Sequence, residues 1–194
     1  MIKIKFLAVF LLVINGINAQ VDKHIALTIP EELKENANSV IRLQEIEITI
    51  NSRELYTTKT KRIVTVLNEY GNKGVDASEY YSKSERIKNI EATIFDAFGK
   101  EIKKVKKKDF KDQSIADGFS VLTDGRILYL DFTPTQYPYT IEYTSEVETI
   151  NTAFLPSWSP VERYLQSVEQ TEFAINYPQD LGFKYKLTNF DDST

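Results

Sequence analysis

Hydrophobic and polar residues alternate with a period of two along most of this chain, which is typical of β-strands. In residues 40–50, Ile46, Ile48 and Ile50 point one way, while the glutamates and threonine between them point the other. The run 54–68 repeats the pattern and ends with apolar residues on both faces. Such an end predicts a strand that is covered on both sides.

Further alternating segments predict the rest of a mostly β fold. Turn signals separate them, including the cluster at 68–74, Asp96–Gly99 and the TDGR sequence at 123–126. In 139–149, Tyr139 and Tyr143 share a face, which favours packing over ligand binding. The predicted strands also include 90–94, 119–123, 126–132, 163–176 and 183–188.

One short helix is predicted over 30–37, where Pro30 and two glutamates have the composition of a first helical turn. Nine or ten strands with short connections then predict an antiparallel β-sandwich or a large curved antiparallel sheet. We expect one β domain over 30–190. The chain reaches its last residue without a capping pattern, so 191–194 is interpreted as the start of a linker to a further domain.

The first 19 residues have the layout of a secretory signal peptide. Lys3 and Lys5 precede an apolar run from Phe6 to Ile14, which is too short to span ~30 Å of hydrocarbon as a helix. Small and polar residues follow, and we place the cleavage before Gln20. The protein is therefore expected to be exported, to the periplasm or the outer surface, with a loose leader over 20–29.

The lysine-rich stretch at 100–112 is interpreted as the solvated return strand of a hairpin that turns at Gly99. Lysines on an edge strand oppose edge-to-edge pairing with other chains. Nucleic acid is an unexpected partner because the formal net charge of the whole chain is −4. A docking surface for a protein or an anionic glycan remains the alternative interpretation.

Catalytic and metal-binding residue types are scarce. The sequence has no cysteine, which excludes disulfides, thiolate zinc sites and a cysteine nucleophile within this chain. Its one histidine, His24, falls in the expected leader. No calcium-loop or nucleotide-binding motif occurs, so the aspartates near turns are interpreted as turn formers and no cofactor is expected.

The segment 154–170 contains the one tryptophan, Trp158, between two prolines. A rigid aromatic loop of this kind can plug the end of a sandwich or form a binding lip. If it binds a partner, the candidate contact residues are Trp158, Arg163 and Tyr164.

Several ordered stretches resemble one known family. They are IPEELKENANSVIR (29–42), IFDAFGKEIKKVKKKDFKD (94–112), SVLTDGRILYLDFTP (120–134), QYPYTIEYTSEVETINTAFLPSWSPVERYLQSVE (136–169) and FAINYP (173–178). Together they resemble the domain of unknown function DUF3857, found in exported proteins of Bacteroidetes-type bacteria, over about residues 30–190. The resemblance implies a β-rich module that lies N-terminal to a transglutaminase-like domain, whose Cys-His-Asp residues are not in this chain.

The sequence is compatible with three functions. The leading hypothesis is an exported, non-catalytic β module that docks to a transglutaminase-like domain or presents substrate to it. The alternative is a stand-alone module that binds a glycan or peptide. A hydrolase that uses only carboxylates would need two convergent acids in one cleft.

Overall fold

The fold consists of two stacked β-sheets. It is seen in a computed structural model that describes residues 21–115, 124–182, 184 and 186. One short α-helix, α1 (Glu31–Lys34), and four 3₁₀ helices occur in these residues, the latter at Ala26–Thr28, Glu69–Gly74, Lys107–Asp109 and Gln179–Leu181. The strands are β1 (Ser39–Ile50), β2 (Tyr56–Val66), β3 (Ser78–Tyr81), β4 (Glu85–Phe95), β5 (Glu101–Lys106), β6 (Lys111–Ser114), β7 (Arg126–Tyr129), β8 (Tyr139–Thr149), β9 (Gln166–Val168) and β10 (Thr171–Asn176).

The predicted mostly β, sandwich-like fold is confirmed. The large sheet has the order β10-β1-β2-β8-β4-β5, with β9 also paired to β1, and the small sheet has the order β3-β7-β6. Strands β9 and β10 pair with β1 in parallel, an exception to the expected antiparallel pattern. The first and last strands of the large sheet are therefore neighbours.

The main core lies between the two sheets. Ile90, Ile94 and Ile141 of the large sheet are at most 2% exposed, and Leu128 and Phe110 cover them from the other side. Burying each such side chain stabilises the fold by roughly 1.5–3 kcal/mol. The predicted shared face of Tyr139 and Tyr143 is part of this packed core.

The predicted hairpin at Asp96–Gly99 is confirmed in detail. Gly99 has φ +81°, a left-handed conformation that favours glycine. The Asp96 carboxylate accepts hydrogen bonds from the backbone N–H groups of Phe98 and Lys100. The turn leads into β5, which is an edge strand with exposed lysines, as the lysine run predicts.

The lysine stretch at 100–112 is not one strand. β5 ends at Lys106, the 3₁₀ helix Lys107–Asp109 follows, and β6 then joins the other sheet. Phe110 follows this 3₁₀ helix and is 6% exposed in the core between the sheets. Burial of its ring accounts for the break.

The helix predicted over 30–37 is shorter than expected. Pro30 precedes it as the N-cap residue, and Asn36 adopts φ +59° after its last turn. The strand predicted over 163–176 is divided into β9 and β10, which begins at Thr171. The predicted signal peptide, the strand 119–123 and the tail 191–194 lie outside the described residues, as does most of the strand 183–188.

Residues 21–29 are packed on the large sheet, which differs from the expected loose leader. Ala26 and Ile29 are buried. The fully buried Arg42, at a register shift in β1, donates to the backbone carbonyls of Lys23 and Ile25. Its other donors reach Thr28 Oγ1 and Glu169 Oε2. Two buried apolar residues and three hydrogen bonds from the Arg42 guanidinium thus hold this segment in place.

His24 belongs to the same packed segment. Its Nδ1 lies 2.7 Å from Asp22 Oδ1, and its Nε2 lies 2.5 Å from Glu142 Oε2 on β8. The imidazole ring also contacts the ring of Phe95, with the centroids 4.3 Å apart. The histidine therefore fastens the N-terminal segment to the sheet.

A candidate interaction site beside a buried arginine

A row of polar side chains crosses the middle of the large sheet on its covered face. Gln44, Arg62 and Tyr143 occupy partner positions on β1, β2 and β8. All three are buried, at 2%, 6% and 2% exposed. The adjacent row, Ile41–Val64–Ile141–Ile94, is apolar throughout. Polar groups at such positions need hydrogen-bond partners or a function that retains them.

Arg62 is incompletely paired. Its Nη1 lies 3.5 Å from Asp76 Oδ2, and its Nη2 lies 3.4 Å from Glu162 Oε2, both long for a charged hydrogen bond. The Arg62 Nε atom and the neighbouring Gln44 Oε1 are buried and have no hydrogen-bond partner among the described residues. Such groups reduce stability, so they are more readily explained by function than by structure.

A partly buried carboxyl group adjoins this row. Glu79 Oε1 on β3 accepts hydrogen bonds from Tyr143 Oη at 3.0 Å and Ser145 Oγ at 2.5 Å. Burial raises the pKa of Glu79 above its ordinary value, although these two hydrogen bonds act in the opposite direction. Burial, followed by the nearby charge of Glu79, raises the pKa of Tyr143 as well. The protonation state of Glu79 therefore depends on how well water is excluded from its carboxyl group.

A cleft of about 210 Å³ lies above the polar row. Residues 78–80 of the small sheet form one wall, and Glu162 contributes the other. Glu162 belongs to the segment 150–165, which connects β8 to β9 and which we call the crossover segment. The cleft is thus bordered by both the small sheet and the crossover segment.

Two of the three predicted contact residues lie next to this site. The Trp158 ring stacks on Phe173, with the centroids 5.6 Å apart, and its Nε1 donates to Thr171 Oγ1 at 3.3 Å. Thr171 is the partner of Gln44 in the sheet, so Trp158 marks one end of the polar row. Arg163 Nη2 lies 3.7 Å from Asp76 Oδ2, the carboxylate that also faces Arg62.

The third predicted residue, Tyr164, is on the outer surface. Its side chain is 100% exposed. It borders a second cavity, which Tyr70 and Arg163 also line. The structure therefore places Trp158 and Arg163 in contact with neighbours of the polar row, and Tyr164 at the second cavity.

Sequence reasoning missed Gln44 and Arg62. Arg62 has the same parity as Val64 and Val66, which places it on a covered face of β2. The alternation of buried and exposed positions along β2 is therefore enough to identify Arg62 as a charged residue at a core position. Gln44 was obscured by the register shift at Arg42, which interrupts the parity of β1.

The described residues contain no cluster of three or more His, Cys, Asp or Glu side chains that could hold a metal ion. Within the same residues, no helix has the length and hydrophobicity needed to cross a membrane.

A solved structure shares this fold. The crystal structure of a candidate protease from Parabacteroides distasonis, at 2.00 Å resolution, superposes with a TM-score of 0.53 and 11% sequence identity. The superposition covers 74% of this chain but only 29% of that protein. At this identity the likeness shows the fold alone.

No curated protein matches the sequence. The family model described as a "Domain of Unknown Function with solved-structure structure" (DUF3857) matches residues 52–194, which is well over half of the chain. The match begins after β1, whereas the resemblance seen in the sequence extends to about residue 30. The chain belongs to the DUF3857 family.

Proposed function

We propose that this chain is an exported, non-catalytic β module that docks to a transglutaminase-like domain through its crossover segment. The observation that carries the proposal is a group of exposed apolar side chains on that segment. The crossover surface consists of four exposed apolar residues, Phe154, Val161, Tyr164 and Leu165, together with the half-buried Trp158 and the exposed Arg163 between them in the sequence.

The apolar members of the crossover surface are unusually exposed. Phe154 is 78% exposed, Val161 61% and Leu165 58%, in addition to the fully exposed Tyr164. Val161, Tyr164 and Leu165 lie within one stretch of five residues, and exposed apolar patches on globular proteins mark interaction sites. Aromatic residues and arginine are also the types that contribute most to binding at interfaces.

The crossover surface is held in position before any partner arrives. Trp158 is anchored on Phe173 and Thr171, and Tyr56 Oη donates to the Phe154 carbonyl at 3.4 Å. The Arg163–Asp76 contact anchors its other end. A preformed surface loses less conformational freedom on binding, which favours docking.

Two further observations support an accessory role. The Parabacteroides protein that shares the fold is much longer than the shared part and is described as a candidate protease. The present sequence has no cysteine, so a thiol nucleophile would have to come from another domain. The signal-like first 19 residues support export.

Photo-crosslinking in the source cells tests docking directly. Benzoylphenylalanine at Tyr164 is expected to crosslink to a transglutaminase-like domain identified by mass spectrometry. The same probe at Phe98, which is 72% exposed beside the opposite edge of the large sheet, is the matched control. Equal crosslinking from both positions, or a Tyr164 product that contains no such domain, would contradict the proposal.

The mass of the native protein separates this proposal from a stand-alone binding module. An antibody against residues 21–115 is applied to periplasmic and membrane fractions. A species much heavier than the 22.4 kDa of this sequence supports attachment to a catalytic domain. A species no heavier than this, with no crosslinked partner, favours the stand-alone glycan- or peptide-binding module instead.

A further inference from the structure

Positive charge is concentrated in one part of this acidic protein. Residues 83–111 contain ten lysines and arginines but only five acids, while the whole chain has a formal net charge of −4. Such asymmetry within one chain indicates a surface that interacts with anions. The edge-strand role of β5 explains the lysines on that strand but not those beyond Lys106.

Four of these cations surround a groove of about 590 Å³ between β4 and the small sheet. Lys83 lies in the turn before β4 and Arg86 lies at the start of that strand, while Lys107 and Lys108 lie on the 3₁₀ helix that follows β5. We call this the basic groove. Its volume is in the range of sites that hold small molecules or short peptide segments.

The floor of the basic groove is apolar. Ile87, Phe110 and Leu128 line it, and each is between 5% and 8% exposed. Their exposed atoms face a concave site rather than a flat surface. A bound ligand can therefore insert one apolar group between the sheets while its charges face the rim.

The rim has more positive charge than its own acids neutralise. Lys83 pairs with Asp124 and Arg86 pairs with Glu148, whereas Lys108 has no ion-pair partner among the described residues. Two acids line the groove: Asp112 is engaged by Arg126 and Tyr81, and Glu85 accepts a hydrogen bond from Ser82, so together they balance two of the four cations at most. Free positive charge thus remains at the mouth of the groove.

We propose that the basic groove binds an acidic peptide segment that inserts one apolar side chain between Ile87, Phe110 and Leu128. Nucleic acid fits less well because Phe110 is buried and Tyr81 is partly buried against the core, so neither ring offers an open face for base stacking. An anionic membrane fits less well because surface binding needs projecting apolar groups, whereas here they form a floor. The proposal does not depend on docking through the crossover surface.

The test uses the purified chain and a labelled peptide of sequence EEEFEEE. Fluorescence anisotropy at low salt is expected to give a dissociation constant of about 10–100 µM. EEEGEEE, which lacks the apolar anchor, and QQQFQQQ, which lacks the charges, are each expected to bind about tenfold more weakly. Equal binding of EEEFEEE and EEEGEEE, or no binding of EEEFEEE at about 1 mM, overturns the proposal.

Matched charge reversals locate the site. The double change Lys83→Glu and Lys108→Glu is expected to weaken EEEFEEE binding by about tenfold. The control Lys59→Glu and Lys73→Glu alters the net charge equally at exposed positions outside the groove and is expected to change binding by less than about twofold. Unfolding midpoints establish that both variants remain folded. Equal loss in both would mean general charge attraction and would refute a specific groove.

A structural readout and two competitors complete the test. Methyl signals of Ile87 and Leu128 are expected to shift on titration with EEEFEEE. Heparin and phosphatidylglycerol vesicles are not expected to displace the peptide at matched negative charge. Displacement by either one, without a shift of these methyl signals, would assign the groove to a glycan or a membrane surface and refute a peptide site.

Discussion

Arg42 Nε on β1 donates to Glu169 Oε2 at 2.5 Å, across 127 residues of sequence. The same guanidinium donates to two backbone carbonyls and a hydroxyl of the N-terminal segment. One fully buried side chain therefore ties the segment 23–28 to the joint between β9 and β10. This arginine is satisfied in a way that Arg62, on the other face of the sheet, is not.

Arg42→Met is expected to lower the free energy of unfolding by about 1.5–3 kcal/mol, because it removes a charged hydrogen bond to Glu169, which retains only Lys23, and the donor to the Lys23 carbonyl. Urea denaturation measures the loss. Limited proteolysis near Lys23 should also accelerate, since the segment loses its tether. A loss below about 1 kcal/mol would refute the tethering role.

Arg62→Met is expected to change the free energy of unfolding by less than about 1 kcal/mol, in either direction. Its Nε has no hydrogen-bond partner in the described part of the chain and its two ion-pair contacts are long, so an apolar side chain of similar length removes little. Urea denaturation of the Arg62→Met and Arg42→Met variants under the same conditions compares their free energies of unfolding. If Arg62→Met proves as destabilising as Arg42→Met, the cleft arginine is structural and its candidacy as a binding residue ends.

Glu79→Gln is expected to be more stable than the wild type near pH 7, with the difference vanishing at about pH 4. Burial raises the pKa of Glu79, so the native state binds this proton more tightly than the unfolded state. Wild-type stability therefore falls as pH rises from the ordinary glutamate range through the raised pKa, and glutamine abolishes this fall. Urea denaturation across the pH range measures it. A difference that is independent of pH would contradict the assignment.

Gly99→Ala is expected to cost more stability than Gly182→Ala, although both glycines have positive φ. At Gly99 an added Cβ would lie 2.9 Å from Ile25 Cγ1, whereas at Gly182 it would meet nothing within 4 Å. Each variant carries a conformational cost of roughly 1 kcal/mol. Thermal unfolding of both variants gives the difference between their stability losses. This difference measures how firmly the Ile25 side chain is held in place. Equal costs would mean that Ile25 moves aside freely.

The parts of the fold that depend on local patterns could be predicted from the sequence. Gly99 and Asp96 identify a hairpin because turn chemistry is local, and the alternation in β1 and β8 predicts strands of nearly the observed length. Parallel pairing of β10 with β1 could not be predicted, because the alternation of apolar and polar residues does not determine which strands become neighbours in the sheet. The interruption of strand structure at Lys107–Asp109 could not be predicted either, because it depends on tertiary packing, namely the burial of Phe110 between the sheets.

The candidate site was predicted only in part for the same reason. Trp158 and Arg163 stand out by residue type, and the structure places both in contact with neighbours of the polar row. The cleft itself arises where Gln44 and Arg62 become neighbours across two strands. That juxtaposition is a property of strand register and is not present in either segment alone.

The parallel pairing of β1 with β9 and β10 also governs when the chain can complete its fold. β1 is made early, but one of its two edges stays open until residues 166–176 have been synthesised. Contacts between such distant segments form slowly because a long loop must close first. During that interval the open edge is a template for pairing with other chains. Until residues 166–176 have been synthesised and have paired with β1, aggregation through this edge competes with folding.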